Sequence, residues 1–224
     1  MIAGVSIETL YTPYDAIRQY DAGVYVTSGN DTEQLLTLEA MVDLANAFID
    51  AEDPDEPTST DAGEPAEVDV RRLMGEAGFG RAGTAPEPAI RRLRQRFADI
   101  LPRINSLPDG DGAAAVTWTN AELTELSVSP SLSDHDGSAL HIHWTPPSAT
   151  FDDQVMADFL MALAHELCDN GTERFGRCGA DDCDRLFYDS SRNGSRRFCS
   201  DPRCASRTHT AEHRKRKRTR GGTA

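Results

Sequence analysis

Four of the five cysteines in this 224-residue chain fall in one C-terminal stretch, spaced Cys178-x4-Cys183-x15-Cys199-x4-Cys204. Two close pairs separated by a hairpin-length spacer suit a tetrahedral ion. Each pair brings two thiolates from one tight turn, and the spacer returns the chain to complete the shell. Four thiolates leave no open coordination position, so the spacing predicts one structural zinc ion rather than a catalytic one. Disulfide pairing is the competing use of the same residues. No secretory pattern opens the sequence and a fifth cysteine, Cys168, is left over, which favours the metal. A module of about 45 residues with so few apolar side chains would need the ion to fold. His209 and His213 lie four apart and could substitute for a cysteine. With four thiolates present they read as facing solvent or phosphate.

The elements that must position these thiolates are legible nearby. Arg185 to Asp189 is strand-like, Asn193-Gly194 is a turn dipeptide, and Arg196 to Phe198 reads as the returning strand that delivers Cys199. Ser200 is placed to cap a helix with Asp201 and Pro202 in its first turn, and Cys204 then sits near the helix start. If that helix runs on to about Arg218, then Arg203, Arg207, Arg214 and Arg218 fall within about 60° of arc. Lys215 and Lys217 lie beside them, and Arg192, Arg196 and Arg197 on the hairpin add a second basic patch. A cationic helix and hairpin held by zinc suit a polyphosphate backbone, and arginine also suits guanine edges. With about six phosphate contacts, the log–log salt slope of binding would be near −5. The competing reading is a solvated basic tail.

At this point the residues resemble the CGNR zinc finger family. The likeness rests on the four spaced cysteines, on Leu186, Phe187 and Asp189, on Ser191, Arg192 and Asn193, and on Arg196, Arg197, Phe198, Cys199 and Ser200. The family's naming Cys-Gly-Asn-Arg stands here as Cys204-Ala205-Ser206-Arg207, which keeps the ligand and the arginine and replaces the two residues between. Phe198 stands where the family often has tryptophan. The resemblance implies a treble-clef-like finger ending in a basic helix, in a bacterial group of DNA-binding transcription regulators. The region upstream is similar in layout to the ABATE domain usually joined to this finger.

That region reads as an α+β domain over residues 1–171, with helices packed on a small antiparallel sheet. The finger follows over 172–219 and a disordered tail over 220–224. Expected elements are a strand at Gly23–Ser28, helices at Thr32–Asp50, Asp69–Ala77, Thr84–Pro102 and Thr150–Asn170, and strands at Ala114–Trp118 and Ser138–Trp144. Thr84-Ala-Pro-Glu87 has capping-box spacing. The acidic, proline-rich stretch 51–67 reads as a mobile loop. Arg91, Arg92, Arg94 and Arg96 flank an apolar stripe and are expected to pair with acidic neighbours. His141 and His143, two apart on a strand, could chelate a metal, but read as a polar outer face. Cys168 joins the stripe of the last helix as packing.

Net charge divides sharply along the chain, −14 in all but +7 from Glu173 onward and −21 before it. Two oppositely charged units suggest an acidic domain that senses a small-molecule ligand or modulates the finger. No nucleophile elbow, phosphate loop, dinucleotide fingerprint or metalloprotease helix occurs, and the hairpin lacks the histidine a treble-clef nuclease needs, so no enzyme activity is expected. The expected partners are nucleic acid, DNA before RNA, and a second copy of the chain, in the cytoplasm and without a membrane. An RNA-binding zinc-ribbon-like protein and a protein-binding adaptor stay open as alternatives.

Overall fold

A computed structural model describes residues 29–52, 68–133 and 141–221. The strand expected at Gly23–Ser28, most of the acidic stretch 51–67 and the end of the tail lie outside them. The order is α1 (Gly29–Glu52), α2 (Val70–Glu76), α3 (Glu87–Asn105), α4 (Gly112–Thr124), β1 (Ser131–Ser133), β2 (His141–His143), α5 (Phe151–Asp169), β3 (Phe175–Arg177), β4 (Leu186–Tyr188) and α6 (Pro202–Gly221).

Helix α5 is the centre of the core, with α1, α3 and α4 packed around it. Thr150 caps it by accepting a hydrogen bond from the Asp153 backbone N–H, and Gly171 leaves its end with a φ of 61°. Val155, Phe159, Leu160 and Leu163 are all but fully buried. From α3 come Ile90, Leu93, Phe97, Ile100 and Leu101, the stripe that the sequence announces. Phe97 meets Phe159 edge-on at 5.8 Å and stacks on Phe48 of α1 at 5.7 Å. Helices α3 and α4 therefore pack on α5, and α1 meets both α5 and strand β4, with no broader sheet beneath the helices among the described residues. The strands form two separate two-stranded antiparallel pairs, β1 with β2 and β3 with β4.

Several local expectations change. Residues 114–118 are helical rather than a strand. Asp111 accepts a hydrogen bond from the Ala114 N–H and opens α4, and Ala115, Trp118 and Thr119 face inward at helical spacing. The alternation of Ala114, Val116 and Trp118 is incidental, and Val116 is exposed. The capping box at Thr84 does not form, since a 3-10 turn occupies Ala82–Thr84 and Pro86 precedes α3. Glu87 pairs instead with Arg71 at 3.2 Å. Pro102 does not end α3, which continues to Asn105. The proline costs one intrahelical bond, and burial of Ile104 holds the last turn in place. Cys168 is exposed and takes no part in the α5 stripe.

Two of the four α3 arginines, Arg92 and Arg96, do what the charge pattern suggests. Asp152 on α5 is nearly fully buried, and Arg92 grips both of its oxygens at 3.1 and 2.8 Å while Arg96 adds a third contact at 3.1 Å. Burial alone would push this carboxyl upward. The hydrogen bonds from Arg92, Thr150 and Arg96 outweigh it and hold it below the ordinary range. Among the described residues no helix is long and apolar enough to cross a membrane.

Candidate metal centre

Strands β3 and β4 form the first half of the centre. Their register pairs Phe175 with Tyr188, Gly176 with Phe187 and Arg177 with Leu186. The Cys178 N–H continues the ladder to the Arg185 carbonyl at 2.8 Å, so Cys178 and Cys183 sit in the loop of this hairpin. Gly176 lies directly beneath the Phe187 ring, and a Cβ there would collide with the ring atoms. The hairpin is thus β3 with β4. The expected partner, Arg196 to Phe198, is not a strand. It returns beside the loop, and its Arg197 carbonyl accepts from the Gly179 N–H at 2.8 Å.

Asp189 explains that return. Its buried carboxylate accepts the Ser191 N–H at 2.8 Å and the Arg196 N–H at 2.6 Å, folding residues 189–196 around one side chain. Gly194 supplies the positive φ, 55°, that closes the loop. Burial tends to raise the Asp189 carboxyl, but these donors and Arg174 hold it low. The helix that follows is capped by Asp201 and not by Ser200. Asp201 Oδ1 accepts from the Arg203 N–H at 2.8 Å, and the Arg203 side chain closes on the same carboxylate, bringing it down to about 2. Cys204 is then the third residue of α6.

The four sulfurs lie within 4.8 Å of one another, and among the described residues no other grouping could hold a metal ion. Cys183 and Cys199 sulfurs are 3.8 Å apart, Cys199 and Cys204 sulfurs 3.7 Å. A zinc–sulfur bond of about 2.3 Å puts tetrahedral sulfurs about 3.8 Å apart, whereas a disulfide needs about 2 Å. Cys178, Cys199 and Cys204 are buried and Cys183 is half-buried. Burial, with the neighbouring sulfurs, pushes the Cys183 thiol up, and burial does the same at Cys204. At Cys178 the backbone N–H groups of Cys199 and Ala180 overcome burial and favour the thiolate. Four sulfurs this close cannot all ionise without a cation among them, and a divalent ion with four thiolates satisfies the set. The donors fit one structural zinc ion, which gathers the hairpin loop, the Asp189 turn and the start of α6.

The expected nucleic-acid residues divide into two groups. Arg196 is half-buried and structural, donating to the Phe198 carbonyl at 2.8 Å and the Tyr188 carbonyl at 3.1 Å over the Phe187 ring. Arg203 is held by Asp201, and Arg207 by Asp182 of the hairpin loop at 3.1 Å. Arg207 also reaches the Cys204 sulfur at 3.6 Å. Arg192, Arg197, Arg214, Lys215 and Lys217 are exposed, and the Arg218 side chain lies outside the described residues. Arg197 rests on the Phe198 ring. His209 is exposed, edge-on to Phe198 at 5.7 Å, and His213 is exposed too. On β2 the His143 side chain is half-buried and that of His141 lies outside the described residues.

How the centre is fastened to the helices is a matter of contacts between residues far apart in the chain. Asn46 of α1 donates to the Leu186 carbonyl at 3.1 Å and accepts the Leu186 N–H at 2.7 Å. Asp50, one turn on, holds Arg185 through two bonds of 2.7 and 2.6 Å. The far side of Arg185 approaches Asp201 at 3.7 Å. Tyr188 donates to the buried Glu166 of α5 at 2.8 Å. Phe175, Leu186 and Tyr188 belong to the same apolar core as the helices, so packing is continuous across residue 172. One sign was available: Asn46 is a polar residue within the mostly apolar run from Met41 to Phe48 of α1. None of the curated proteins compared matches the chain. Over residues 174–217, which take in all four ligands and most of α6, the sequence matches the CGNR zinc finger family model.

Proposed function

We propose that the protein is a zinc-dependent nucleic-acid-binding protein, a DNA-binding transcription regulator whose finger has a treble-clef-like arrangement. The observation that carries this is α6, a 20-residue helix anchored at Cys204 whose distal cations are exposed to solvent. A helix of that length spans about 30 Å, enough to follow several phosphates. Arg197 and Arg192, both exposed, add two further cations to the finger. Aromatic side chains, on which single strands stack, are scarce here, since Phe187 and Tyr188 are buried in the core. That favours duplex DNA over single-stranded RNA.

In this reading the acidic helical region, ABATE-like in layout, modulates the finger from the cytoplasmic protein's other end. Support comes from the contacts of Asn46 and Asp50, through which a shift in α1 would reach β4 and the start of α6. The test begins with metal content of the purified full chain, expected at one zinc per chain. Mobility shift with duplex DNA then follows at 50 and 200 mM salt. Six phosphate contacts should cost about a thousandfold in affinity over that range. Zinc-loaded protein that binds no duplex at 50 mM would remove the proposal.

A further inference from the structure

Resting on that nucleic-acid reading, we infer that duplex phosphates are contacted by the distal half of α6, from Arg214 onward, while the finger's own carboxylates withhold the proximal arginines. The stripe drawn by helical spacing treats Arg203, Arg207, Arg214 and Arg218 as equals. The structure separates them. Arg203 is clamped by two donors on Asp201, whose second role is to open the helix. Arg207 is turned back onto Asp182, in a loop that also carries Asp181 and Asp184, all three exposed. A phosphate that takes Arg207 must displace Asp182 from it. Farther along α6, Arg214 and Lys217 are exposed, and the sequence between Arg203 and Gly221 carries one acidic residue, Glu212. These two cations lie roughly 15–20 Å along the axis from Cys204, clear of the acidic loop.

The partner implied is a phosphate backbone read for charge and spacing, with the zinc centre as the mount that sets the direction of the helix. Asp182 becomes the residue that limits the footprint. Asp182 and Arg207 are both exposed, but Arg207 also touches the Cys204 sulfur, so each variant is compared only after its zinc content is shown to equal that of the unaltered chain.

The experiment measures binding of the zinc-loaded full chain to a random-sequence duplex between 50 and 200 mM salt. Five proteins are compared: the unaltered chain, Arg207→Ala, Asp182→Asn, the pair Asp182→Asn with Arg207→Ala, and the pair Arg214→Ala with Lys217→Ala. The Arg214/Lys217 pair should bind at least about tenfold more weakly, with the salt slope shallower by about 2. Arg207→Ala alone should change affinity less than about twofold. Asp182→Asn should tighten binding severalfold and steepen the slope by about 1, as one more cation reaches a phosphate. Adding Arg207→Ala should cancel that gain. The inference is overturned if Arg207→Ala costs as much as the Arg214/Lys217 pair, if Asp182→Asn changes nothing, or if its gain survives loss of Arg207. If the unaltered chain shifts no duplex, the nucleic-acid reading itself fails and takes this one with it.

Discussion

Asp158 is a half-buried carboxyl on the central helix, with no basic partner among the described residues to hold its charge. Burial, with Glu33 nearby, raises it from 3.8 to about 7. The sign of its effect on stability follows. A carboxyl whose folded value is raised favours the native state fully below its unfolded value, and that favour is lost as pH climbs through the folded one. The window here runs from about pH 4 to pH 7. Asp158→Asn should therefore flatten the loss of thermal stability between pH 5 and pH 8, which calorimetry at the two pH values would show. An unchanged difference would place the charge in water. Asp152, about one and two-thirds turns earlier on the same helix, shows the opposite device, since Arg92 and Arg96 keep it ionised.

At the scale of elements, the joint between α1 and β4 is the feature with most leverage. Asn46 serves both polar groups of Leu186 inside the protein. Asn46→Ala would leave a buried N–H and a buried carbonyl unpaired, and each costs about 1–3 kcal/mol. The expected loss is about 2–4 kcal/mol in urea unfolding. A change under 0.5 kcal/mol would mean that water replaces the side chain. How much of this was legible in the sequence varies by element. The stripes of α3 and α5 and the start of α5 at Thr150 are local, set by residues within a turn or two, and the structure has them where spacing puts them. The segment 112–124 misled because small alternating residues fit either period, and only the Asp111 cap decides for helix. The hairpin partner was misassigned for a different reason. Asn193-Gly194 is a real turn, but a single buried carboxylate, Asp189, organises the loop and leaves no ladder for Arg196 to Phe198 to join. The cysteine set was the most legible part of all, because a tetrahedral ion imposes spacing directly on the chain. The Asn46 and Arg185 contacts join residues about 140 positions apart, and nothing short of the fold brings them together.

For the molecule as a whole, the metal and the helical core share one body. The hairpin that carries Cys178 and Cys183 is packed through Phe175, Leu186 and Tyr188 into the core of α1 and α5. Removing zinc with a strong chelator should therefore melt α6 and the turn at Asp189 and leave the helices α1 to α5 folded. Circular dichroism would register a partial loss of helix signal, restored by adding zinc, with a cooperative thermal transition still present. Complete unfolding on chelation would show that the ion supports the core as well. The Asn46 joint has one more effect. In the β3–β4 register Arg177 and Leu186 form a non-bonded pair, so the Leu186 amide and carbonyl point away from β3, toward the open margin of a two-stranded ribbon. Such a margin is where a foreign strand would dock and begin aggregation. A side chain from a distant helix occupies it, so β4 has no vacant border at Leu186 to offer, and the same amide that fastens the two halves closes that margin to an incoming strand.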